Sequence, residues 1–204
     1  LGGMFTYLSL SICEPLSAAG MDWLYFALMG LIAILLGSFG SVFNTYSGLY
    51  LAKDNDLLLS MPIPVGVIMT ARLLVVYIMG LLYSGVVIIP AAAVYLIKVS
   101  ATVGSVIGSF MSVLLISVFV LTLSCILGWV VAKISLKLKN KSVITVFVSI
   151  MFLAAYYFVY FKAQSLISEL IANAAVYGEK IKGSAYPIYL AGKAGTGDPA
   201  ALAI

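Results

Sequence analysis

The chain contains no histidine and little charge: 9% of its 204 residues are Asp, Glu, Lys or Arg, against 64% that are apolar. Without histidine, a Ser–His dyad and an H-E-x-x-H zinc helix are both excluded. No acidic side chain lies in the middle of an apolar stretch, which removes an aspartyl dyad. The lysines lie at the ends of such stretches, away from a serine–lysine pairing. A G-x-x-x-x-G-K-[ST] loop to cradle nucleotide phosphates is missing as well. The chain is therefore expected to have no catalytic residue, no metal site and no cofactor of its own. Cys13 and Cys125 lie far apart, in or beside apolar runs, and read as small packing residues.

What is present is apolar surface in excess. A soluble domain carries roughly a quarter charged residues, and its interior can bury apolar surface only in proportion to its size. A bilayer supplies the missing apolar solvent. No charge falls between Asp22 and Lys53, Arg72 and Lys98, Lys98 and Lys133, or Lys141 and Lys162. A spanning helix needs about 20 apolar residues at about 1.5 Å each, and each gap is long enough. Backbone amides in hydrocarbon must pair within their own segment, so the spans are helices. Runs such as LIAILL at 31–36 lack the alternation of outer-membrane strands.

The fold class expected is all-α: a polytopic transmembrane helix bundle forming one domain over 1–204. Full spans are predicted at about 22–48, 67–96, 104–132 and 142–162, with a partial span at 1–13. Residues 14–20 and 99–103 read as tight turns, and Pro90 should kink or end its helix. The chain is expected to be a fragment at both ends. Residues 1–13 are too short to cross alone and follow no basic leader, and AALAI at 200–204 opens another apolar run.

Orientation follows from the basic residues near span ends. Lys53, Arg72, Lys133, Lys137, Lys139 and Lys141 share one side, while the short loops of the other hold only Lys98, with Lys162 at a span end. The first side is expected to be cytoplasmic, and the net charge of +4 reads as membrane orientation, not nucleic-acid binding. The segment 163–199 then lies outside. Within it, Leu166, Leu170 and Ala174 recur at helical spacing beside Ile167 and Ile171, up to a stop at Gly178. An amphipathic helix at the outer membrane surface is expected there, with Tyr177, Tyr186 and Tyr189 at the interface and a turn-rich stretch over 192–199.

Small residues recur four apart within the spans: Ala33, Gly37 and Ser41; Gly40, Asn44 and Gly48; Gly104, Gly108 and Ser112. Such faces let helices approach closely in lipid, either as a seam that shifts or as static packing. Asn44, Thr45 and Ser47 either line a pathway or bond neighbouring helices. The cluster Lys133, Lys137, Lys139 and Lys141 reads as an anchor for anionic lipid or as a second cytoplasmic contact.

The loop between the first two full spans is the most informative stretch. Asp54 and Asp56 can cap a helix, Leu57, Leu58 and Leu59 give it an apolar surface, and Pro62 and Pro64 end it. A helix of one or two turns is unstable alone in water. It packs on the membrane surface or on a cytoplasmic protein, or else the stretch is an ordinary solvated loop. Arg72 either pairs with Asp54 or Asp56 or anchors its span at phosphate level.

The run YLAKDNDLLLSMPIP at 50–64, followed by TARLL at 70–74, resembles the first cytoplasmic loop of bacterial type 2 ABC exporter permeases. Met61 stands where leucine is common in that family. The run GWVVAKISLKLKNKS at 128–142 resembles the second cytoplasmic loop, and GTGDP at 195–199 the extracellular stretch before a last span. The resemblance implies a multi-pass protein of the bacterial cytoplasmic membrane. Its short helix at 56–60 would be a coupling helix seated in a separate ATP-binding-cassette ATPase subunit, which carries ATP and Mg. A second permease domain is implied as partner, with Arg72 as helix anchor and Lys137, Lys139 and Lys141 as a second cytoplasmic contact. The alternative is an ATP-independent carrier or channel. Its ion sites would ordinarily need ionisable groups inside the membrane, and the full spans offer none.

Overall fold

The computed structural model describes residues 2–50, 60, 62–99, 102–137, 146, 150, 154, 157, 158, 161, 162, 186–198 and 201. Every regular element among them is helical. The order is α1 (Gly2–Ala18), α2 (Asp22–Thr45, continued by a π-helical turn Tyr46–Tyr50), α3 (Val65–Lys98), α4 (Val103–Lys137) and α5 (Tyr186–Thr196). Three helices are long and apolar enough to cross a membrane: Asp22–Tyr50, Val65–Lys98 and Val103–Ser135. At about 1.5 Å per residue the last two reach ~50 Å, well beyond the hydrocarbon thickness of about 30 Å.

Polarity is inverted relative to a water-soluble protein. Every buried polar residue in the described core is a serine or threonine: Ser9, Ser38, Ser41, Thr45, Ser84, Ser105, Ser109, Ser112, Ser117, Ser124 and Ser135. Meanwhile Leu74, Leu82, Ile89, Phe110, Val118 and Ile126 on α3 and α4 are each more than half exposed. Water would penalise that outward apolar surface, and lipid does not. The chain is thus a polytopic α-helical membrane protein.

Two compact units are formed, and α2, α3 and α4 contribute to both. In unit 1 (1–33, 85–116 and 155–204), Tyr25 on α2 joins three helices. It accepts a hydrogen bond from Ser9 on α1 and donates one to the Ala91 carbonyl on α3 at 2.8 Å. Tyr25, Phe26 and Tyr95 form an aromatic cluster with centroids 4.8–6.0 Å apart. At its periphery Lys98 pairs with Glu14 at 2.8 Å.

Glycine governs the docking of α5. A Cβ on Gly195 would meet the Phe26 ring at 2.5 Å, and one on Gly192 would overlap the Trp23 backbone. A Cβ on Gly108 would lie 2.6 Å from Gly197 Cα. The small face at Gly104 and Gly108 is therefore the seat of the α5 terminus.

Several sequence expectations are corrected. The 14–20 stretch is not all turn, because α1 continues through Pro15 to Ala18. It stops in a Schellman motif, with Gly20 at φ 67° and bonds from Met21 N to Leu16 O and from Gly20 N to Ser17 O, both 2.9 Å. The 192–199 stretch is likewise helical as far as Thr196. Its glycines serve close approach, and only Gly197, at φ 83°, makes the turn. The same motif recurs there through Gly197 N to Ala194 O and Asp198 N to Lys193 O. Pro90 does not end its helix, since α3 runs on to Lys98. Loss of one backbone bond is tolerated where neighbouring turns and helices hold the segment.

Unit 2 comprises 34–84 and 117–154. Here a Cβ on Gly40 would fall 2.9 Å from the Tyr83 ring, and one on Gly37 or Gly80 would press on Ser84 or Val120 at 3.0–3.1 Å. The expected span at 142–162 lies mostly outside the described residues. Its described positions Val146, Ile150, Tyr157, Phe158 and Phe161 are helical, and all are exposed.

Two expectations follow. Gly108→Ala should destabilise the detergent-solubilised protein by about 1–3 kcal/mol, because backbone cannot yield as a side-chain end can. Gly48→Ala, with nothing within 4 Å of its Cβ, should stay within about 0.5 kcal/mol of the parent; equal melting of the two variants would count against the tight α4–α5 approach. The Lys98 hydrogen bond, then its charge, holds the Glu14 carboxyl below the usual carboxylate range. Its stabilisation is present above the ordinary glutamate range and fades as pH falls through the lowered value. The margin over Glu14→Gln in thermal melts should therefore be small, shrink in salt and vanish at low pH; a margin unchanged by acid would refute the pair as its source.

Candidate functional site

The exposed apolar faces meet lipid, so the polar seam inside each unit is where a membrane protein of this kind can do selective work. The buried positions of α4 illustrate it: Ser105, Ser109, Ser112, Ser117, Ser124 and Ser135 all turn inward. Serine there is small enough for close packing, and its hydroxyl can return to its own helix when no neighbour offers a bond.

In unit 2 the hydroxyls are largely paired. Ser41 on α2 and Ser124 on α4 share a hydrogen bond, and Ser124 also donates to Val120 O at 2.6 Å. Ser117 donates to the Tyr77 hydroxyl of α3 at 2.8 Å. The π-helical turn after Thr45 carries the next two bonds. Tyr46 donates to Ser135 Oγ at 2.7 Å and Tyr50 to the Cys125 carbonyl at 3.2 Å. A wider turn changes side-chain direction by adding one residue to the loop of the helix.

Unit 1 differs. Ser109 and Ser112 are buried on α4, next to Gly108 and one turn beyond it, and neither Oγ has a hydrogen-bond partner among the described residues. Asp22 Oδ1, at the start of α2, is also unpartnered there, while its carboxylate lies within electrostatic range of Tyr95 and Cys13. Two buried hydroxyls and one carboxylate oxygen without a partner among the described residues are chemically able to take up water or a polar solute. No group of three or more His, Cys, Asp or Glu that could hold a metal occurs among the described residues.

The residues singled out from the sequence fare unevenly. Asp54, Asp56, Leu57, Leu58 and Leu59, with Lys139 and Lys141, lie outside the described residues. So does the amphipathic stretch at 164–177. Pro62 and Pro64 are exposed and immediately precede α3. Arg72 is half-buried in the second turn of α3, and Lys137 is the last residue of α4. Cys13 and Cys125 are separate thiols. Thr45 donates to Ser41 O at 2.9 Å and Ser47 to Asn44 O at 3.1 Å, so these hydroxyls bond back to their own helix rather than across to a neighbour. Of the face Gly40, Asn44 and Gly48, Gly40 meets Tyr83, whereas a Cβ on Gly48 would meet nothing. Ser109 and Ser124 were not marked by the small-residue spacing, although serine recurring along one face of α4 was readable.

Comparison with protein-family models, with curated proteins and with solved structures finds no match to this chain.

A double-mutant cycle on Ser41→Ala and Ser124→Ala should give a coupling of about 0.6 kcal/mol in detergent unfolding, the usual worth of an interhelical bond in lipid. A coupling indistinguishable from zero would show that the two hydroxyls do not stabilise one another.

Proposed function

We propose that this chain is the membrane-spanning permease of an ATP-binding-cassette exporter in a bacterial cytoplasmic membrane. ATP hydrolysis on a separate subunit would drive it. The observation that carries the reading is the acid–leucine–proline run at 53–64, which leads directly into α3 at Val65. A force applied to a short helix at 56–60 reaches α3 across only Met61 to Pro64, and two of those four residues are prolines with fixed φ. The roles are those of the family resemblance. Asp54 and Asp56 start the coupling helix, Leu57, Leu58 and Leu59 contact the ATPase, Pro62 and Pro64 stop the helix, and Arg72 holds the base of α3. Lys137, Lys139 and Lys141 form a second contact on the same side. ATP and Mg belong to the partner subunit, and a second permease domain completes the pathway.

The seam suits repacking. It is held by glycine contacts and by interhelical hydroxyl bonds worth about 0.6 kcal/mol each, so among the described residues a rearrangement breaks no buried ion pair. The hydroxyls of Ser109 and Ser112, unpartnered among the described residues, favour a second reading, an ATP-independent carrier or channel, because a polar solute would satisfy them.

The two readings separate in a pull-down of the tagged full-length protein from detergent-solubilised membranes. Wild type should bring down an ATPase subunit. The triple variant Asp54→Ala, Asp56→Ala, Leu58→Ala should insert normally and retain roughly tenfold less, corresponding to about 1.4 kcal/mol of lost contact. Absence of an ATPase from both samples would remove the exporter reading and leave the carrier or channel.

A further inference from the structure

The two units differ in charge. Unit 2 carries six Lys or Arg and two Asp, whereas unit 1 carries five basic and five acidic residues. The entire net charge of +4 therefore belongs to unit 2. No acidic residue occurs between Asp56 and Glu169, so α4 and the chain on either side of it hold no carboxylate. Among the described residues both ion pairs, Glu14–Lys98 and Lys193–Asp198, lie in unit 1.

Lys133 on α4 meets a ring instead. Its Nζ stands 4.8 Å from the centroid of Trp129, one turn earlier on the same helix. Trp129 is 52% exposed and Lys133 is exposed as well. The ring holds one side of the ammonium, and no hydrogen-bond acceptor meets its remaining protons among the described residues. The indole N–H is a second donor close by. Both groups stand near the end of a long apolar helix, where tryptophan and lysine settle at the headgroup level. Ile126, Thr122 and Val118 continue the same face at helical spacing and are exposed, and Thr122 returns its hydroxyl to the Val118 carbonyl at 3.0 Å. The face below the cation is thus apolar in effect and suited to an acyl chain.

We infer that Trp129 and Lys133 form a binding site for the headgroup phosphate of an anionic phospholipid. Lys133 and the indole N–H donate to phosphate oxygens, and a tail lies along Ile126, Thr122 and Val118. The charge excess of unit 2 selects an anionic lipid over a zwitterionic one, since a zwitterionic headgroup brings its own cation against Lys133. This inference rests on the membrane reading alone and is independent of any ATPase.

The chain has two tryptophans, so Trp23→Phe leaves Trp129 as the sole reporter and keeps an aromatic ring against Tyr189. The full-length variant is reconstituted in phosphatidylcholine vesicles containing a small fraction of phosphatidylglycerol or of phosphatidylcholine, brominated high in the acyl chain. Brominated phosphatidylglycerol should be enriched at Trp129 by about fivefold over brominated phosphatidylcholine, the preference one surface lysine confers. Adding Lys133→Gln should abolish the difference, and Lys133→Arg should keep it. The Trp129→Phe protein, reporting from Trp23, should show none. Equal quenching by the two lipids would overturn the site. So would a preference that survives Lys133→Gln or appears equally at Trp23, because the enrichment would then belong to the protein surface at large.

Discussion

A methyl group on Gly108 would lie 2.6 Å from the Gly197 backbone, and one on Gly40 would lie 2.9 Å from the Tyr83 ring. These approaches follow from a single constraint. In lipid no hydrophobic force drives helices together, so association depends on van der Waals contact at short range and on polar groups that have no water to turn to. Glycine supplies the first and serine both. The buried polar set is made of hydroxyls because a hydroxyl can satisfy itself on its own helix, as Thr45, Ser84 and Ser124 do. An amide or a charge in the same place would require a partner on another element.

The same constraint orders the ion pairs. Glu14–Lys98 joins helix ends with both side chains well exposed, and Lys193–Asp198 spans the terminal turn of α5. Neither sits within an apolar stretch, where unpaired charge would be costly. The bundle is therefore held internally by contacts that are individually weak and geometrically demanding. It tolerates exchange of one hydroxyl bond for another more readily than it tolerates added volume.

Glycine shows why local reading of the chain has a boundary. Gly20, Gly192, Gly195 and Gly197 all look like turn signals in isolation. Gly20 and Gly197 do take left-handed φ and close Schellman motifs. Gly192 and Gly195 are helical, retained because α2 lies against them at Trp23 and Phe26. A propensity scale cannot separate a glycine needed for φ from one needed for space, since the second need arises from a partner distant in sequence. Pro90 teaches the same lesson from the other side. Its ring argues for a stop, yet α3 continues to Lys98.

The membrane class and the helical form of the three described spans were determined by the sequence alone. They depend on the length of charge-free runs against the thickness of a bilayer, and both are one-dimensional quantities. The small face at Gly104 and Gly108 was also legible, because close packing leaves a four-residue period. The α5 end that it receives, the Tyr25 junction of three helices, the Ser41–Ser124 bond and the lack of a partner for Ser109 and Ser112 among the described residues were decided only by tertiary structure. Each is a relation between residues on different helices, or the lack of one, and helical spacing shows which residues share a face without showing what that face meets.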